Sequence, residues 1–351
     1  MKQLLFFLIL AIFLVSCRQE QQRAFVIGRV VVSSSPEDEK IISPIDSFSG
    51  PSLFGAGMLA GVSDSLVIIG VKPQSGSLFC FRALNVWKQD YVDFLNRGRG
   101  PGEVLSAGSA GFRREGDKML FDVNAVNDHL LLTLDLDATC NEGKAVINNM
   151  VELLDGPISP YSFCLGQDIV SVVLFDEDYY SVKRFSAVGH EMHRVSQIFG
   201  NEPYLAEYYV AFGIGPSIKP DRTKLVMPMI YFDEIGIYDL EGEDHLSVSS
   251  SRRTGSKSKI EQMMAGGDEP TQVYYRDCSV TDDAIYALYC NCDSKEMETS
   301  LPAVQVFSWE GRLKAIYHLN EPLYSISVSE DGRTLYGLTE EEVLYRYDLS
   351  Q

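Results

Sequence analysis

The chain of 351 residues carries 30 Lys and Arg against 49 Asp and Glu, a formal net charge of −19. That sign excludes a protein built to hold a phosphate backbone, which needs a basic surface. Hydrophobic residues at 45% and charged residues at 23% are the ordinary globular mix, so a sizeable core forms and the chain is not disordered along its length.

At the start, Lys2 precedes an apolar run from Leu4 to Val15 that ends in Ser16 and Cys17. A basic residue, a short apolar stretch and a small residue before a cut are the marks of a secretory signal peptide. A spanning helix needs about 20 apolar residues, and no later stretch reaches that length uninterrupted. Leu14, Val15, Ser16 and Cys17 resemble the lipobox of bacterial lipoproteins. The resemblance implies cleavage before Cys17, lipidation of Cys17 and a membrane anchor in the cell envelope, with the periplasmic or surface face of the outer membrane as the expected address. Several acyl chains hold such an anchor stably, each buried methylene contributing about 0.8 kcal/mol. The expected plan is a signal peptide over 1–16, a polar lipidated tether over 17–23 and one domain over 24–351.

Ala24 to Ser33 reads as a strand. Beyond it a short apolar strand recurs, beginning near Leu66, Met119, Ile169, Leu225, Ile285 and Leu335, with starts 53, 50, 56, 60 and 50 residues apart. That period is too long for most solenoids and suits four-stranded propeller blades with generous loops. A second landmark in four of the units is a strand leaving through a polar turn: Leu134 to Thr139, Phe185 to His190, Tyr238 to Glu243 and Phe307 to Arg312. Tyr345 to Leu349 matches the third strand of a blade, so a fourth is wanting, and Ala24 to Ser33 is expected to supply it and remove an open edge. The fold expected is therefore all-β, a six-bladed β-propeller closed by an N-terminal strand that completes the last blade. Ser247 to Thr271, rich in Ser, Gly and Lys, reads as a long loop with a short helical middle near Ile260 to Met264.

Ser327 to Gly337, SVSEDGRTLYG, resembles the S-x-D-G-x-x-L/I-Y element of TolB-like propellers, and Ile218 to Leu225 is a looser copy. Asn96 to Val104, NRGRGPGEV, and Tyr274 to Tyr289 are similar to segments of six-bladed TolB-like propeller lipoproteins of the Bacteroides group. The resemblance covers most of the mature chain and implies fold and compartment rather than an activity.

Chemical motifs are sparse. No G-x-S-x-G and no G-x-x-x-x-G-K-[ST] occurs, so neither a nucleophile elbow nor a phosphate-cradling loop is indicated. His190 and His193 are three apart, a spacing that sends them to opposite faces of a strand, and Asp135, Asp137, Asn141 and Glu142 miss the intervals of a calcium loop. No cofactor and no metal is expected. Cys80, Cys140, Cys164, Cys278, Cys290 and Cys292 read as buried thiols, with disulfides the alternative.

The remaining signal is aromatic and cationic. The crossings from the outer strand of one blade to the inner strand of the next should hold Arg97, Arg99, Tyr161, Tyr208, Tyr275, Arg276 and Tyr324, which suit a glycan, peptide or protein partner. Arginines gathered at one mouth would also make a locally positive funnel. The bland reading of each tyrosine is packing between blades, and that of Gly98 to Gly102 is an inter-blade turn set by Pro101. The leading expectation is a non-catalytic binding lipoprotein. The alternative is a propeller enzyme, lactonase-like or glycan-cleaving, with Glu103 and Asp277 as channel carboxylates, an analogy that rests on fold.

Overall fold

A computed structural model of the chain describes residues 29–32, 35–63, 65–153, 159, 161–165, 168–173, 181–186, 191–197, 215–241, 245–249 and 272–350. Cys17, Tyr208, His190 and most of the Ser247 to Thr271 loop lie outside them. Six small sheets follow one another along the chain, each a meander of antiparallel strands. Blade I holds Ala56–Val62, Leu66–Val71, Phe79–Asn85 and Asp90–Asn96. Blade II holds Gly108–Glu115, Lys118–Ala125, Leu130–Asp135 and Ile147–Glu152. Blade III holds Ser162–Leu165, Asp168–Val173, Ser181–Phe185 and Glu191–Gln197. Blade IV runs through Ser217–Ile218, Lys224–Pro228, Ile235–Asp239 and His245–Ser249. Blade V has Gln272–Val280, Ile285–Asp293, Ala303–Phe307 and Leu313–Leu319. Blade VI begins with Leu323–Val328, Thr334–Thr339 and Leu344–Asp348. All six recurring apolar strands of the sequence are second strands of blades. They sit mid-sheet with cover on both faces, which is why Val67, Ile68 and Ile69 are all buried.

The ring closes through the N-terminal segment, but not through Ala24 to Ser33. Of that stretch, Arg29–Val32 pairs parallel to His245–Ser249 as a fifth strand on blade IV. Asp38–Ile42 then pairs parallel to Leu313–Leu319 on blade V. Asp46–Phe48 finally supplies the missing fourth strand of blade VI, antiparallel to Leu344–Asp348. The closure is locked by Arg346 Nη1 donating to Asp46 Oδ2 at 2.8 Å and by Ile45 N donating to Arg346 O at 2.7 Å. Sheet twist of about 20–25° per strand turns the outermost strands far from the direction of the inner ones. Short links therefore let the three N-terminal strands follow one another along the rim. Asp38, Glu39 and Lys40 make this belt a charged edge that resists pairing with another chain.

A short helix, α1 (Leu136–Glu142), interrupts blade II where the sequence suggested a plain turn. Asp135 caps it by accepting from Ala138 N at 3.0 Å, and Gly143 ends it in the left-handed region at φ 69°. No helix among the described residues is long and apolar enough to cross a membrane.

Apolar wedges fill the gaps between neighbouring blades. Phe81 and Phe94 of blade I meet Phe121 of blade II, with ring centroids 5.0 Å apart for Phe81 and Phe121. The six cysteines at 80, 140, 164, 278, 290 and 292 are free thiols. First strands line the axis and are stitched to one another. Leu59 N donates to Ser325 Oγ at 2.9 Å, Val328 N to Ser279 Oγ at 3.0 Å, and Ser109 Oγ to Ala60 O at 3.3 Å. Strand alternation gives the ring two distinct ends. The crossings and the links between second and third strands share one end, while the hairpins that join first to second and third to fourth strands share the other.

Candidate functional site

At the crossing end, blades V, VI and I converge on Tyr324, the second residue of the innermost strand of blade VI. Its ring is half-buried between two cations, the Arg276 guanidinium 5.4 Å and the Lys72 ammonium 5.9 Å from the centroid. The Tyr324 hydroxyl donates to Gly57 O, and burial pushes its pKa well up, so it remains a neutral donor. Arg276 is held by Glu340 Oε1 at 2.7 Å and by Met297 O at 3.1 Å. Glu342 Oε1 accepts from Gly55 N at 3.1 Å. The mouth is thus mixed in charge rather than a positive funnel, because acids from blade VI face its cations.

Around this cluster the crossing end leaves large apolar side chains uncovered. Phe54 is 63% exposed and Met58 54%, flanking the carbonyls that Tyr324 holds. Leu78 at 70%, Leu105 and Leu301 extend the apolar character to other loops of the same end. At the hairpin end Trp87 is the large apolar residue most exposed among the described loops, and its ring is covered by Arg346 at 4.8 Å.

The structure brings Arg276 and Tyr324 together and disperses the other residues named from sequence. Tyr275 is fully buried, its hydroxyl donating to Gln305 Oε1 at 2.9 Å, so it is inter-blade core and offers no face to a ligand. Tyr161 is half-buried against the cluster between blades III and IV. Arg97 turns inward, donating to Phe79 O at 3.0 Å and to Val71 O at 2.5 Å. Arg99 is exposed on the same loop. Glu103 locks that loop: its Oε2 accepts from Gly100 N at 2.8 Å, and a Cβ at Gly98 would collide with the same oxygen. The glycines of GRGPG therefore make room for a carboxylate of their own turn.

Asp277 lies beside the axis and joins blade V to blade VI. Its Oδ2 accepts from Ser325 Oγ and Ile326 N, both at 2.7 Å, and its Oδ1 from Cys278 N at 2.8 Å. Burial raises its pKa to about 6 against the pull of those three donors. Asp277 is thus engaged by two donors of blade VI and one of its own strand, while Glu103 is engaged within its own turn in the crossing between blades I and II. No group of three or more His, Cys, Asp or Glu among the described residues has metal-binding geometry.

Sequence reasoning missed Phe54, Met58 and Leu78, since isolated exposed apolar residues look like any strand position until the fold shows which loops share an end. No family model and no curated protein matches the sequence. Among solved structures, a chain in a crystal structure of a mitotic checkpoint complex is similar over 92% of this chain and 96% of that chain, at 8% identity and a TM-score of 0.44, a level that carries no functional argument.

Proposed function

We propose that this protein is an envelope lipoprotein of the TolB-like propeller type known in the Bacteroides group, lipidated at Cys17 and anchored at the outer membrane. In this reading residues 1–16 are the signal peptide, 17–23 the lipidated tether and 24–351 the propeller domain. The crossing end docks a glycan, peptide or protein partner without transforming it. The observation that carries the proposal is the grouping of Phe54, Met58 and Leu78, each more than half exposed, at the end that also presents Tyr324 and Arg276. Apolar anchors beside a guanidinium and a tyrosine are the composition of a docking patch. They favour a peptide or protein segment over a glycan, because aliphatic Met58 and Leu78 outnumber the one open aromatic face, that of Phe54. The engagement of Asp277 and Glu103 in structural hydrogen bonds speaks for binding over hydrolysis.

The test is retention of partners from a detergent-solubilised envelope fraction, together with a glycan array. Phe54→Ser and Leu78→Ser should each abolish or sharply reduce a specific signal while leaving the melting temperature unchanged. Equal retention by both variants overturns the assigned face. Bound metal, or turnover in a screen of lactones and glycosides, overturns the non-catalytic reading.

A further inference from the structure

The gap between blades II and III differs from the other inter-blade gaps. Among the described residues its apolar wedge is small, made of Leu131, Leu153, Cys164, Ile169 and Phe185 with Val151 packed against them, and the inner part is polar. Gly111, Asp122, Thr133 and Asn149 lie opposite one another on successive strands of blade II, so they form one row across a single face of that sheet. A cavity of about 440 Å³ opens against this row, lined by Arg113, Thr133, Asn148, Asn149, Cys164 and Arg222, with Glu115 at its rim. Ligand pockets are commonly about 300–1,000 Å³.

Two guanidiniums converge on one buried carboxylate at the inner end of this gap. Asp122, with 2% of its side chain exposed, faces two guanidiniums, Arg113 Nη1 and Arg222 Nη2, through the same oxygen. Its other oxygen accepts from Thr133 Oγ1 at 2.7 Å. Glu115 reaches Arg113 Nε at 2.9 Å but is 62% exposed and solvated. The Arg222 side chain is 12% exposed, and its Nη1 is buried without a hydrogen-bond partner. An unpaired donor on a buried cation is costly, and a turn of the guanidinium toward the cavity would let an anion oxygen relieve it.

The hairpin that carries Arg222 has a sister in blade VI with which it can be compared. The hairpins at Lys219 to Lys224 and Ser329 to Thr334 are built alike. Arg222 N donates to Lys219 O at 2.8 Å as Gly332 N does to Ser329 O at 2.8 Å. Asp221 Oδ1 accepts from Thr223 N at 2.9 Å as Asp331 Oδ1 does from Arg333 N at 3.0 Å. The left-handed position is glycine in one, at φ 71°, and arginine in the other, at φ 64°. The turn itself therefore does not call for arginine, since its sister closes the same hydrogen bonds with glycine at that position.

From this geometry we infer that the cavity between blades II and III binds a small hydroxylated carboxylate of the sugar-acid or hydroxy-acid class, held by Arg113 and Arg222. Planar guanidiniums match a carboxylate. The amides of Asn148 and Asn149 and the Thr133 hydroxyl suit hydroxyl groups, and among the described residues the lining has no large apolar side chain to favour a hydrophobic tail. The site opens toward the hairpin end, away from Tyr324, and is independent of the docking face proposed above.

The test is calorimetric titration of the purified full chain at fixed ionic strength with D-glucuronate, D-glucose and inorganic phosphate. Saturable binding of glucuronate, no binding of glucose and weaker binding of phosphate are expected. Arg222→Gly keeps the turn and should weaken glucuronate about tenfold or more. Asn149→Ala, on an exposed strand, should weaken it by a smaller factor and serves if the first variant does not fold. Phe54→Ser should leave it unchanged. No saturable glucuronate binding, unaltered affinity in both cavity variants, or phosphate bound more tightly than glucuronate overturns the inference.

Discussion

Replacing Asp277 by asparagine separates two opposed forces on one carboxylate. Burial holds the carboxyl at about 6 in the folded chain, against an ordinary value of 3.8. Ser325 Oγ, Ile326 N and Cys278 N pull the other way by stabilising the ion. Between these two pH values the folded chain keeps a proton that the unfolded chain has released. Stability from this group is therefore greatest below pH 3.8 and is lost as pH rises through 6. The difference of about two pH units corresponds to at most about 3 kcal/mol, less where water reaches the carboxylate. The amide of the Asp277→Asn variant does not titrate, so subtracting the variant's stability from the parent's cancels every other group. Urea unfolding of both proteins at pH 4, 5, 6 and 7 should show the parent losing up to about 3 kcal/mol relative to Asp277→Asn across that range. A flat difference, or one that grows with pH, would mean that the three donors outweigh burial and that Asp277 is an ion in the fold at all these values.

Other expectations follow from close contacts. A Cβ at Gly61 would lie 2.8 Å from Phe112 Cβ across the seam of blades I and II, whereas one at Gly70 meets nothing closer than Met58 O at 3.7 Å. Gly61→Ala should cost about 1–3 kcal/mol and Gly70→Ala should be neutral or slightly stabilising, read as melting temperatures; equal behaviour refutes the seam. Arg97→Ala removes donors from two strand carbonyls and should cost about 2–3 kcal/mol in denaturant unfolding, while the exposed Arg99→Ala should cost almost nothing. Cys17→Ser should abolish incorporation of labelled palmitate and release the protein from sedimented membranes; continued labelling would show that the lipid is elsewhere.

The second strands were legible because they are apolar on both faces and recur at nearly constant spacing, as Leu66–Val71 and Leu335 onward illustrate. The closing strand was not, because an edge strand needs no such pattern: Asp46–Phe48 is three residues long, and Asp38–Ile42 begins with three charged residues. The more apolar Arg29–Val32 attracted the assignment and instead widens blade IV. Within Tyr274, Tyr275 and Arg276, composition suggested one binding patch, yet neighbours on a strand point to opposite faces, and Tyr275 went to the core while Arg276 met Tyr324. Arg222 and Asp122 are 100 residues apart and share no local signal. The one trace in the sequence is that Arg222 stands where the related element at Ser327 to Gly337 has Gly332.

The docking face is tested most directly by placing a photo-crosslinking amino acid at Phe54 in one full-length variant and at Trp87 in another, and irradiating intact cells. Both positions are more than half exposed and they stand at opposite ends of the ring. A discrete adduct from position 54 and none from position 87 is the predicted result. Adducts from position 87 with none from position 54 would contradict it and move the recognition surface to the hairpin end.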